Sequence, residues 1–237
     1  MAPSHNLEMP DKRPSHPYRA LDRELVPGHD KKLDMARHHV TPYNQLKALW
    51  NANLKDPAVA RSLLLAIDTN IGLYTDRSDS ARKDDQRVRT FCAELANGQF
   101  THNPGGDRHT GWDSFWEVYS WLPGNLFIGP TTRADDPEEN FEKDAEPIFS
   151  SAHGVDPRYG LLSLVNKKIT EHLGSKTCRS AEEAYGMLAE VATQARYVDY
   201  QGSHWTWETD KAELRRLKPG AKKQPPDGPR IKPGTGS

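Results

Sequence analysis

The sequence predicts a mainly α-helical single domain that carries one small β-hairpin, and three observations lead there. Apolar residues recur every three or four positions in successive segments, several of which open on a capping residue followed by proline. One short run, Asn125-Leu126-Phe127-Ile128 between Pro123-Gly124 and Gly129-Pro130, has strand character. No stretch inside the 237 residues has the composition of a spacer between two domains, which favours a single core over residues 33–216.

Residues 1–32 hold Pro3, Pro10, Pro14, Pro17 and Pro27 among histidines and few large apolar side chains, and read as a flexible lead-in that buries too little to offset its ordering entropy. The first helix starts with Thr41 as cap and Pro42 in the first turn, and sets Leu46, Leu49, Trp50 and Leu54 on one face. A second begins at Asp56-Pro57 and runs through Val59, Leu63, Leu64 and Ile67. A third, from about Ser80, turns Val88, Phe91, Cys92 and Leu95 inward before Asn97-Gly98 stops it. Residues 101–110, around Asn103-Pro104-Gly105-Gly106, read as loop. Trp112, Phe115, Trp116, Tyr119 and Trp121 follow as a short buried helix; after the strand, Asp136-Pro137 opens another by the same cap-plus-proline pattern. Two more helices cover 156–173 and 180 to about 197. Residues 217–237 alternate Pro and Gly with Lys and Arg, the composition of a disordered basic tail.

Hydrophobic residues make up 35% and charged residues 27%, and mean hydropathy is −0.84, so the chain is polar on average yet has apolar stretches enough for a core. The longest compact apolar run, residues 63–67, is far short of a bilayer span. Met1-Ala2-Pro3-Ser4-His5 lacks the apolar centre of a secretory signal, so a cytoplasmic location, or delivery into a target cell by a specialised system, is expected, with no membrane partner. Cys92 and Cys178 have no second cysteine at metal-ligand spacing and read as reduced and structural. A formal net charge of −1 supplies no global basic field, so any hold on nucleic acid is local.

The adjacent His38 and His39 stand directly before the first helix. Consecutive strand residues point to opposite faces, and a residue before a helix can turn into its mouth, so one imidazole can bind a metal while the other takes a proton from water. In the plainer reading both are exposed polar residues in a turn. A second group comprises Asn125 with Arg133, Asp135, Asp136, Glu139 and Asn140. An asparagine opening a strand can hydrogen-bond to a facing loop and hold it, and oxygen ligands at the next helix start suit a divalent cation. The plainer alternative is a hairpin turn followed by an acidic first helical turn.

Arg37-His38-His39-Val40-Thr41-Pro42-Tyr43-Asn44-Gln45-Leu46, followed by Leu49-Trp50-Asn51, resembles the HHxxP opening of His-Me finger (HNH-like) nuclease domains found at the C-termini of bacterial polymorphic toxins. Gly124-Asn125-Leu126-Phe127-Ile128-Gly129-Pro130, with Arg133, Asp135-Asp136-Pro137 and Phe141, is similar to the second half of such domains. The resemblance spans residues 38–142 in two islands. It implies a ββα-metal-like element and a metal-dependent endonuclease acting on DNA or RNA, with magnesium, manganese or zinc as the divalent ion and an immunity protein as partner in the producer cell. It also implies metal ligation by His38, a general-base role for His39 and a loop-positioning role for Asn125. The family's final helical histidine is absent, so Asp136 or Asn140 stands in as ligand, and Arg133 neutralises charge on the phosphate. Two other functions stay open: a non-catalytic effector or protein-interaction module on the same scaffold, and a metal-free ribonuclease using His38 and His39 as acid and base.

Three further features have plain readings. His102, Asp107 and His109 offer ligands but fit a solvated loop better. The aromatics of 112–121 have the spacing of a buried helical face rather than a base-stacking platform. His204-Trp205-Thr206-Trp207 is either a binding edge or a short element docked on the domain.

Overall fold

A computed structural model describes residues 7–98, 109–151 and 154–216. Amphipathic spacing builds its body. Helices α1 (Tyr43–Ala52) and α2 (Arg61–Asn70) turn Leu46, Leu49, Trp50 and Leu63, Leu64, Ile67 inward. The short α3 (Asp79–Arg82) and the longer α4 (Asp85–Ala96) follow, then α5 (Trp112–Ser120), α6 (Arg158–Ser175) and α7 (Cys178–Ala192). Helix α2 is central, packed between α4 and α7, while α6 lies on α7 and α1, and α5 on α4 and α1. The aromatics of α5 are core, as their spacing predicts: the Phe115 ring lies 4.7 Å from Phe91 and 5.1 Å from Trp50. No described helix is long and apolar enough to cross a membrane.

The strands form four two-stranded antiparallel sheets among the described residues. They are β1 (Glu24–Leu25) with β2 (Lys32–Leu33), β3 (Met35–His39) with β4 (Leu126–Pro130), β5 (Ser150–Ser151) with β6 (Gly154–Val155), and β7 (Trp205–Glu208) with β8 (Glu213–Arg216). The fold is thus mainly α with small β-hairpins, as expected. In the β3–β4 pair His38 faces Phe127 and His39 faces Leu126. Every residue of β4 is buried, because its other edge is covered by Val198, whose amide donates to Leu126 O (3.0 Å) and whose carbonyl accepts from Ile128 N (2.9 Å). That run is apolar for this reason: its positions are almost wholly withdrawn from water, Ile128 being 7% exposed. Gly129 is glycine because the Trp205 ring lies over it; a Cβ there would come within 2.6 Å of Cζ2.

Several expectations are corrected. Helix α1 begins at Tyr43 with Pro42 as the flanking residue and no side-chain cap from Thr41. The third helix is two, since Ser78 Oγ caps α3 by accepting from Ala81 N at 3.2 Å, before α4 starts at Asp85. Helix α7 ends at Ala192, which releases the chain to lay Val198 along β4. No helix forms at Asp136-Pro137. There Glu138 takes a left-handed φ of 56° and donates its amide to Asp136 Oδ1 (2.8 Å), a side-chain turn that competes with helical bonding. The β3–β4 pair is therefore not followed by the helix expected at Asp136-Pro137.

The lead-in of 1–32 is also corrected from residue 7 onward. Leu7, Met9, Tyr18 and Val26 are buried, and residues 7–19 lie across the body as a strap. Trp50 Nε1 donates to Leu7 O (2.8 Å), Tyr43 Oη to Pro10 O (2.7 Å) and Trp121 Nε1 to Pro14 O (3.0 Å). Scattered apolar anchors plus hydrogen bonds from buried aromatics offset the ordering entropy that composition alone would leave unmet. The stretch His204–Trp207 docks: Trp205 is fully buried in a hairpin stacked on Phe127. The basic tail of 217–237 lies outside the described residues.

Candidate active site

Strand β3 ends where α1 begins, so its last two side chains open into a cleft of about 630 Å³. Strap residues Asp11 and Arg13, the histidines, Tyr43, Asp136, Glu138 and Glu139 line it. Asn125 holds the corner. Its Oδ1 accepts from Thr41 N and its Nδ2 donates to Thr41 O, both at 2.8 Å, while its own carbonyl accepts from Val40 N at 3.0 Å. At 1% exposure, Asn125 satisfies both backbone groups of Thr41 where water cannot.

The two histidines do different things. His39 Nε2 lies 2.7 Å from Ser120 O, an acceptor only, so that nitrogen carries the hydrogen and the lone pair sits on Nδ1. Burial first, and the Arg13 charge second, push the His39 pKa down to about 3, so the ring is neutral at pH 7. His38 is stacked on Phe127 with Nε2 against Pro130 O (3.0 Å), and its Nδ1 lies 3.3 Å from Asp136 Oδ2. The hydrogen bond with His38, aided by the Glu138 amide and Arg133, pulls Asp136 down to about 2 despite partial burial, so it is a carboxylate.

The site residues expected from sequence divide into two groups. His38, His39, Asn125 and Asp136 converge on the cleft and its corner. Asn140 does not: it is exposed, its Nδ2 donates to Pro137 O (3.2 Å), and it lines a different cleft with Phe141, Arg215 and Arg216. Arg133 is likewise withdrawn. Its side chain has no exposure and is ion-paired to buried Glu142, which also holds Arg216 of β8 at 2.7 Å. An arginine so tied cannot reach a phosphate; it anchors the segment that carries Asp136.

His38 and Asp136 are the pair left that would meet a divalent cation. His38 Nδ1 lies 3.3 Å from Asp136 Oδ2, the imidazole donating to the carboxylate; an ion taking the place of that hydrogen would find two ligand atoms at a separation compatible with about 2.1 Å to each. Among the described residues no third His, Cys, Asp or Glu joins them, so water and substrate oxygens would complete the shell. His109 plays no part. It is bound to Glu94 (3.0 Å) beside Phe91, and His102 and Asp107 lie outside the described residues. Both cysteines are free; Cys92 is buried as expected, but Cys178 is exposed.

Sequence reasoning missed Arg13, whose Nη1 lies 2.9 Å from His39 Nδ1 and whose guanidinium sits 4.2 Å from the centre of the Trp121 ring. It missed Ser120 too, because a backbone carbonyl leaves no mark in residue type. Leu7, Met9 and Tyr18 anchor the strap that carries Arg13, but they follow no period that would mark them as buried.

One pH effect follows from the histidines. Burial is the first cause lowering His39, His16, His172 and His204. Their folded pKa values lie below the unfolded 6.5, so the unfolded chain binds protons first, and stability present above pH 6.5 is lost as pH falls toward 3. For His39 the loss at pH 5 is about 2 kcal/mol. Thermal unfolding should therefore show a Tm several degrees lower at pH 5 than at pH 7.5; an unchanged Tm would contradict neutral buried rings.

No protein-family model matches the chain, and no solved structure matches it. Protein p9 of Acyrthosiphon pisum secondary endosymbiont phage 1 is 31% identical over 128 residues, covering 49% of this chain and 35% of the phage protein. The chain thus spans about a third of that relative's length.

Proposed function

We propose that this chain is a metal-dependent endonuclease of polymorphic-toxin type, hydrolysing phosphodiester bonds in DNA or RNA in the cytoplasm of a target cell. A specialised delivery route and an immunity protein in the producer belong to the same reading. The observation that carries it is the set state of His39: Ser120 O holds hydrogen on Nε2, so the Nδ1 lone pair is directed into a cleft beside the His38–Asp136 pair. Similarity to a phage protein is in keeping with a bacterial setting.

His39 Nδ1 takes the proton of an attacking water, and the Ser120 carbonyl stabilises the resulting imidazolium through Nε2–H, as an orienting acceptor does in other general-base pairs. Asn125 keeps the Thr41 corner from shifting, which fixes His39 relative to His38. A divalent cation held by His38 Nδ1 and Asp136 would supply charge stabilisation at the phosphate and leaving oxygen. Arg133 acts at one remove, through Glu142 and the turn that presents Asp136.

Plasmid DNA and total RNA should be degraded by the purified chain in magnesium, manganese or zinc. EDTA should stop the reaction and added metal should restore it. Cleavage of RNA that persists in EDTA would point to metal-free acid–base chemistry by the two histidines. Inertness with every metal would sink the reading in favour of a non-catalytic interaction module, which the acidic lip of Asp11, Glu138 and Glu139 favours.

A further inference from the structure

We propose that Arg13 is the ligand of the scissile phosphate, and that substrate frees the base by drawing Arg13 off His39; this rests on the hydrolase reading above. With hydrogen fixed on Nε2 by Ser120 O, His39 has one lone pair, on Nδ1, and Arg13 Nη1 occupies it at 2.9 Å. Water cannot lose a proton to Nδ1 while that bond stands, so Arg13 must leave before hydrolysis.

Its destination follows from what else it touches. Among the described residues Arg13 makes no ion pair within 4 Å; its close contacts are the His39 imidazole and the Trp121 face at 4.2 Å, and the Asp136 carboxylate acts on it only at longer range. The two other arginines near the site are taken. Arg37 is 6% exposed, bonded to Arg19 O and Tyr197 Oη and held between the Tyr18 and Tyr197 rings. Arg133 is paired with Glu142. A guanidinium with no carboxylate bonded to it gains most from an oxyanion that accepts two of its N–H groups, and a phosphodiester offers that geometry where an imidazole accepts one.

The strap allows the exchange without unfolding. Its backbone is pinned on both sides of Arg13, by Tyr43 Oη donating to Pro10 O at 2.7 Å and by Trp121 Nε1 donating to Pro14 O at 3.0 Å. Only the side chain needs to swing, and the Trp121 face keeps it ordered near its target. No covalent step involves Arg13. It moves one hydrogen bond from nitrogen to phosphate oxygen and leaves the Nδ1 lone pair open to water.

The test uses the full chain with Arg13→Ala and Arg13→Lys, read in two arms. The first is kcat/KM on labelled DNA and RNA oligonucleotides in the activating metal; the second is equilibrium binding of the same oligonucleotides in EDTA across a salt series, in a His39→Ala background. Arg13→Ala should lower kcat/KM about a hundredfold, weaken binding and reduce the salt slope by about one. Arg13→Lys should recover part of both. Cleavage by Arg13→Ala as fast as wild type or faster, the behaviour of a mere plug, would overturn the proposal, as would unchanged binding with an unchanged Tm. If the wild type cleaves nothing, the hydrolase reading fails by itself. The binding arm then still decides: Arg13-dependent, salt-sensitive binding retains Arg13 as a phosphate ligand, and Arg13-independent binding, or none, removes it.

Discussion

His39→Ala is expected to reduce phosphodiester cleavage by about two to four orders of magnitude, the range that follows loss of a positioned general base. The size of the effect comes from the lack of a substitute. His38, the neighbouring imidazole, is stacked on Phe127 with both nitrogens engaged, Nε2 at Pro130 O and Nδ1 at Asp136. It cannot rotate into the vacated position without leaving the strand register that sets it opposite Phe127. The kinetic signature should lie mainly in kcat, because in the proposed mechanism His39 acts on water rather than on the phosphate, and oligonucleotide binding should be little changed. Free imidazole added to the variant should restore part of the rate by occupying the space beside Trp121, whose ring lies 4.5 Å from that of His39. A variant that keeps activity within about twofold of wild type would remove His39 from the chemistry.

Asn125→Ala should give the largest loss of stability of any single change near the site. The wild-type side chain satisfies Thr41 N and Thr41 O at once, in a residue with 1% exposure. Alanine leaves a donor and an acceptor buried without partners, at about 1–3 kcal/mol each. The total of about 2–6 kcal/mol corresponds to a fall in Tm of roughly 5–20 °C for a domain of this size. Asn125→Asp should be intermediate in structure but not in charge: its oxygen can still accept from Thr41 N, yet it has nothing to donate to Thr41 O. Differential scanning calorimetry of the three proteins checks the order, and a drop below about 1 kcal/mol for alanine would mean that water reaches the corner. Cleavage should fall with it, since Thr41 adjoins the strand end that carries His39.

How much of this was legible in the sequence depends on whether a feature is set locally. Helices α1, α2, α4, α6 and α7 could be read from spacing because each buries one face against neighbours, and that pattern is written at intervals of three and four. The pairing of His38 and His39 with a strand opened by Asn125 could be read because an asparagine at that position has few other uses. The segment after β4 could not. Asp136-Pro137 has the residues of a helix start; the Asp136 side chain competes locally by accepting from the Glu138 amide, and Glu142 beyond it is drawn inward by Arg133 and by Arg216 across 74 positions. Arg133 misled for the same reason, since its buried carboxylate partner is invisible to residue type. The strap could not be read because Leu7, Met9 and Tyr18 follow no period among the prolines, and their partners, Trp50 and Trp121, lie far along the chain.

The distance between the halves of the site has a consequence for how the molecule comes into being. The clamp joining Asn125 to Thr41 spans 84 positions, and Tyr18 Oη reaches Trp121 O across 103. Closing an 84-residue loop carries an entropic penalty of about 4 kcal/mol before any contact rewards it, so the hairpin cannot nucleate folding and must wait for helices α1 to α5 to bring its strands together. During synthesis Ser120, Asn125 and Asp136 follow the two histidines only after most of that helical body exists. A nascent chain shorter than this holds imidazoles without orientation, and the site forms only when β4 locks against β3.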